Sequence, residues 1–187
     1  MSPGLLAQPK RQQSCPLNRL LGVMESLTEL LRWTLILSCL GSGMMAGLFV
    51  SFSTFMMKAL GSLDSSNGMQ AMQAINRTIL RPSFLLVFLG TAVLAAVSGF
   101  IAYALVKPWL YIIAAAAIYI FACILSTGLF NVPLNNLLER ADAETDEGQR
   151  LWRDYLSQWT NWNHVRSFAC VLSTILLAYS LSETGGL

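Results

Sequence analysis

A chain of 187 residues in which 55% are apolar and only 12% charged lacks the charged surface of a soluble domain, where about a quarter of residues carry charge. Its length suits one compact unit, and a net charge of +2 gives no basis for nucleic-acid binding. The apolar residues fall in blocks rather than on a period of 2 or 3.6, which is the pattern of membrane-crossing helices.

In chain order, residues 1–32 read as a loose basic tail. Pro3, Pro9 and Pro16 interrupt any long helix there, and Lys10, Arg11, Arg19 and Arg32 precede the first apolar block. That block ends without a small-x-small cleavage pattern, so it reads as an uncleaved span rather than a signal peptide. A transmembrane domain over 33–182 is predicted, with spans at about 33–57, 83–106, 109–130 and 165–181. In the first span, Gly43 and Gly47 form a small-xxx-small pair that would admit a neighbouring helix.

The connection to the second span holds an amphipathic stretch, Ser66 to Leu80, with Met69, Met72, Ile75 and Ile79 at helical spacing. Pro82 suits a first helical turn. Lys107 and Pro108 make a tight turn into the third span, where Trp109 and Tyr111 sit at belt positions. The last connection, Asn131 to His164, lies on the same face as the first. Its acids Glu139, Asp142, Glu144, Asp146 and Glu147 read as a solvated surface. The predicted fold is therefore all-α: an integral membrane four-helix bundle with short amphipathic helices in the two long loops on one face. The tail-side bases place the N-terminus in the cytosol.

The densest run of unusual residues leads from the third span into the fourth. Asn131 and Asn135 are four apart and would share a face, although asparagines around Pro133 also serve as ordinary helix-end turns. Trp152, Tyr155, Trp159, Trp162 and Arg166 recur at steps of three and four. This stripe suits either plain core packing or a flat wall for a planar ligand. His164, flanked by Asn163 and Arg166 where burial begins, is the one histidine in the chain, and a boundary ionisable group is a functional candidate. Cys15, Cys39, Cys123 and Cys170 have no short spacing, which indicates neither a zinc knuckle nor a redox pair. With one histidine and no carboxylate pair in the spans, multi-histidine and carboxylate-bridged metal sites are excluded. A haem with His164 as its sole axial ligand remains compatible.

Four runs resemble, in order, the motifs of the anthrone oxygenase family. They are Gly47-Leu48-Phe49-Val50-Ser51-Phe52-Ser53-Thr54-Phe55, Met72-Gln73-Ala74-Ile75-Asn76-Arg77, Phe130-Asn131-Val132-Pro133-Leu134-Asn135-Asn136 and Trp159-Thr160-Asn161-Trp162-Asn163-His164-Val165-Arg166. The resemblance covers about residues 33–180 and implies a four-helix membrane monooxygenase of polyketide secondary metabolism. Its partners would be the bilayer, O2 and a hydrophobic aromatic molecule. An anthrone has an acidic CH₂, whose proton loss gives an electron-rich anion that reacts with O2 directly. That route requires a base, oxyanion donors and a dry flat-walled pocket, and no cofactor. On this reading His164 is the base and Asn131, Asn135 and Asn163 are donors. Trp159 and Trp162 stack on the rings, while Arg166, Asn76 and Arg77 hold phenolate or carboxylate groups. The rivals are a non-enzymatic membrane scaffold or assembly subunit binding a partner or hydrophobic ligand, and a transporter of small hydrophobic compounds, for which a homo-oligomer would have to supply further spans. The transporter is disfavoured by few spans and no inverted repeat.

Overall fold

The computed structural model describes residues 16–107 and 109–184, and every regular element among them is helical. The remaining tail residues, with Lys10, Arg11 and Cys15, and the turn residue Pro108 lie outside the described residues. Helix α1 (Pro16–Ser51) passes through a π turn (Phe52–Met56) into α2 (Met57–Gly61). Helix α3 (Ser65–Ile79) follows, then α4 (Pro82–Ala104) and α5 (Trp109–Ile118). The last continues through π turns Tyr119–Leu125 and Thr127–Asn131 into α6 (Val132–Arg140). A short turn leads to α7 (Asp146–Thr184).

Four helices are long and apolar enough to cross a membrane: Leu17–Gly61, Pro82–Ala104, Trp109–Arg140 and Asp146–Thr184. They form an up-down-up-down ring in which α1 packs on α4 and α7, and α5 on α4 and α7. The protein is thus an all-helical integral membrane protein. Lipid-facing positions such as Leu40, Leu86, Phe100, Phe121 and Phe168 carry exposed apolar side chains, since no water is present there to reward polarity.

The helices extend beyond the predicted spans. The chain is helical from Pro16, inside the segment read as a loose tail, because Pro at a first turn removes only an N–H that has no helical partner. The helix carrying the third span runs on past 130, and the helix carrying the fourth begins before 165. Both run on as helix beyond the apolar block, so no separate loop helix exists after Arg140. At 39 residues, α7 is about 58 Å long, well over the ~30 Å of hydrocarbon. The 23-residue α4, at about 35 Å, matches one bilayer crossing.

Three apolar layers stack along the bundle. Leu31, Leu35, Ile101, Ile112, Ala115 and Leu177 fill the closed end. Met45, Phe49, Phe88, Tyr119, Cys123 and Cys170 fill the middle. Phe52, Met69, Met72, Leu138, Trp152, Tyr155 and Trp159 fill the loop end. Amphipathic α3 is the roof of that last layer, inserting Met69 and Met72 among the aromatics. Its outer edge is tied by Gln73 donating to the carbonyls of Leu138 (2.8 Å) and Ala141 (3.1 Å).

Close helix approach does not occur at Gly43 and Gly47. A Cβ at Gly47 would meet nothing within 4 Å, and one at Gly43 would make an ordinary 3.8 Å contact. Gly41 is the tight position, where a Cβ would stand 2.0 Å from Thr91 Oγ1 on α4. At the closed end α4 terminates in a Schellman motif: Lys107 N–H donates to Ala102 O (3.0 Å) and Val106 N–H to Tyr103 O (3.1 Å). Val106 therefore takes the left-handed position, at φ 55, where glycine is usual.

Candidate functional site

Between the middle and loop-end layers lies a buried polar cluster contributed by three helices. Asn163 and Arg166 come from α7, Thr127 and Asn131 from the third span, and Phe49 and Ser53 from the first. Because Cys170 and Phe88 share the middle layer and Arg166 is one turn above Cys170, the cluster sits at the loop-side edge of the thickness that α4 spans.

Asn163, fully buried, is saturated. Its Nδ2 donates to Phe49 O and Ser53 Oγ (2.7 Å each), and its Oδ1 accepts from Arg166 Nη2 at 2.8 Å. Backbone irregularity makes this possible. The first span's π turn closes a five-residue step, Met57 N–H donating to Phe52 O, and such turns are frequent beside functional sites. The two π turns of the third span face it across α7.

Arg166 is only 4% exposed. Its guanidinium lies over the rings of Phe49 (4.5 Å) and Trp159 (4.8 Å), and Nη1 donates weakly to Thr127 Oγ1 at 3.4 Å. Among the described residues no acid pairs with it; Arg77 and Glu139 form an ion pair on the exposed loop face. Among the described residues two buried side-chain polar atoms also have no partner: Arg166 Nε, a donor, and Asn131 Oδ1, an acceptor. Asn131 Nδ2 donates to Trp159 O (3.3 Å), which fixes the amide's orientation and leaves Oδ1 as the open atom. A buried cation with cation–π support but no counter-charge is costly. With its own Nε unpartnered and Asn131 Oδ1 open in the same cluster, the guanidinium suits an anionic oxygen beside a hydroxyl.

The remaining predicted residues divide. Asn135 Oδ1 accepts from Tyr155 Oη (2.8 Å) and Trp159 Nε1 (2.9 Å), so this side chain braces α6 against α7 rather than donating to a ligand. Asn76 reaches the site's outer side through Tyr155 Oη, at 3.5 Å. Arg77 is engaged with Glu139 outside the cluster. Trp162 leaves the stripe: its ring stacks on Phe130 at 3.6 Å and 2° on the half-exposed flank. His164 is exposed, without a hydrogen bond, ion pair or ring contact among the described residues. The 100° helical step turns it away from Asn163 and Arg166. It is not placed to act as a base on anything held by the cluster. It lines neither of the two grooves beside the cluster. No group of three or more His, Cys, Asp or Glu lies together among the described residues.

Two grooves flank the cluster. One, about 410 Å³, runs between α1 and α3 along Leu48, Phe52, Met56, Ile75 and Ile79. Its floor residue Phe52 packs on Trp159, ring centroids 5.4 Å apart. The other, about 330 Å³, opens beside Tyr155 between α6 and α7, with Glu147, Arg150 and Asp154 on its rim. Sequence reasoning missed Phe49, Ser53 and Thr127, since a hydroxyl or aromatic inside an apolar block carries no local mark of its role.

Residues 84–176 match the family model described as anthrone oxygenase, which covers the second to fourth spans with Asn131, Asn135, Trp159, Asn163 and Arg166. No curated protein and no solved structure matches the chain.

Proposed function

With residues 84–176 placed in the anthrone oxygenase family, and an oxygenase-type function supported at that level, we propose that this protein oxygenates a planar phenolic, anthrone-type aromatic at the Arg166 cluster. The carrying observation is the buried Arg166 guanidinium, with its own Nε unpartnered and no acid facing it among the described residues, and Asn131 Oδ1 open in the same cluster.

In this reading the lipid-soluble substrate enters the apolar groove over Phe52, and displacement of that ring brings it against Trp159 and Arg166. The guanidinium binds the enolate or phenolate form, so the substrate's proton is lost on binding and released at the loop face. Asn131 Oδ1 accepts from a neighbouring phenolic hydroxyl, and this pair of contacts orients the ring plane along Trp159. The bound carbanion adds O2 and the peroxide anion takes a proton back from solvent; the hydroperoxide then loses water, so that CH₂ + O2 gives C=O + H₂O. Arg166 stabilises the negative charge throughout, and Asn163 holds it in place. The base role passes from His164 to solvent, and Asn135 becomes a brace for Tyr155 and Trp159. The tail-side bases lead us to place the N-terminus in the cytosol.

Oxygen uptake and product analysis with a dihydroxyanthrone test this. Wild-type protein should produce the anthraquinone, and Arg166→Met should lose about 100-fold or more in kcat/KM, the range of an oxyanion donor. A folded Arg166→Met with wild-type turnover would overturn the assignment.

A further inference from the structure

Cys123 and Cys170 are 47 positions apart in sequence, yet their sulfurs stand 3.4 Å apart in the middle layer, both fully buried, with Cys170 donating to Cys123. They form a rung between the third and fourth spans. The next rung, one turn towards the loop face, is Thr127–Arg166 at 3.4 Å, Arg166 preceding Cys170 by four residues on α7. The two rungs share a direct link: Thr127 Oγ1 donates to Cys123 O at 2.7 Å. The dithiol thus lies one helical turn below the cluster, in the same bundle interior.

We propose that Cys123 and Cys170 are a redox-active pair that closes to an intramembrane disulfide on meeting an organic hydroperoxide. One thiol attacks the peroxide's outer oxygen; the O–O bond breaks, the alcohol leaves with the thiol's proton, and a sulfenic acid remains. The second thiol attacks that sulfur, the S–S bond forms and water leaves. In total, two thiols and ROOH give a disulfide, ROH and H₂O, the sulfurs losing two electrons and the peroxide gaining them. Closure requires the sulfurs to approach from 3.4 Å to about 2 Å. The bond fixes the third and fourth spans at the level of the cluster, and so alters the Thr127–Arg166 rung. This pair rests on geometry alone and does not depend on the oxygenase reading, although a hydroperoxide formed at the cluster is its nearest source of oxidant.

The test uses full-length protein in lipid nanodiscs carrying Cys15→Ser and Cys39→Ser, so that two thiols remain. Cumene hydroperoxide is the probe, followed by denaturation, maleimide labelling and intact mass. The expected result is a fall from two labelled thiols per chain to none, in monomeric protein, with a mass loss of about 2 Da for two hydrogens and full recovery with dithiothreitol. Adding Cys123→Ala or Cys170→Ala should leave a single thiol that yields a dimedone adduct and no disulfide. Retention of both free thiols, cross-linking between chains, or overoxidation without a disulfide would overturn the proposal.

Discussion

Arg166→Met separates a functional charge from a structural one. The substitution keeps the length and apolar stem of the side chain and removes a guanidinium that is 4% exposed and faces no acid among the described residues. Three contributions disappear. The charged hydrogen bond to Asn163 Oδ1 at 2.8 Å contributes about 1.5–3 kcal/mol. The contacts over Phe49 and Trp159 contribute about 1–2 kcal/mol together. Opposing both, desolvation of the ion costs several kcal/mol, roughly 3–5 on that scale. The expected change is therefore near zero, within about 2 kcal/mol in either direction, while oxygen uptake collapses. Thermal unfolding in detergent, followed by tryptophan fluorescence alongside turnover, reads both quantities. At about 2–4 °C per kcal/mol for a chain of this size, Tm should stay within several degrees of wild type. A drop of 15 °C or more would show that Arg166 holds the bundle together, and would refute the view that it is held ready for a ligand.

His164→Ala should keep oxygen uptake within about twofold, since a side chain turned out of the cluster contributes no transition-state contact; a loss beyond tenfold in folded protein would restore it as the base. Asn135→Ala should destabilise by about 2–4 kcal/mol, because Tyr155 Oη and Trp159 Nε1 lose their shared acceptor, a shift readable in the same melting assay. Gly41→Ala should cost about 1–3 kcal/mol through collision with Thr91, whereas Gly47→Ala, in open space, should be neutral or stabilising by up to about 1 kcal/mol. Val106→Gly should raise stability by about 1 kcal/mol or more by relieving a left-handed β-branched residue, visible as a higher Tm with unchanged turnover.

The number of spans was legible in the sequence because each crossing helix must be apolar over its own length, whatever its neighbours are. Met69 and Met72 on the amphipathic α3, and the Trp152–Tyr155–Trp159 stripe, were legible for a related reason: a helical period reports one buried face. Membrane helices give a weaker signal for rotation about their own axes, since lipid and core are both apolar. For that reason His164 and Arg166, two residues apart, could not be told apart as outward and inward. The same holds for Gly41 against Gly47.

The π turns add a second obstacle. Each inserts one residue into the helical repeat and rotates everything beyond it by about 100°, so faces extrapolated through Phe52–Met56 or Tyr119–Asn131 are misassigned. The Cys123–Cys170 rung and the Asn163–Phe49 bond join residues 47 and 114 apart, distances at which no local spacing carries information. Composition and period thus determined four membrane helices and a polar end. Packing decided which side chains that end encloses, because only contact between helices selects a face when both surroundings are oil.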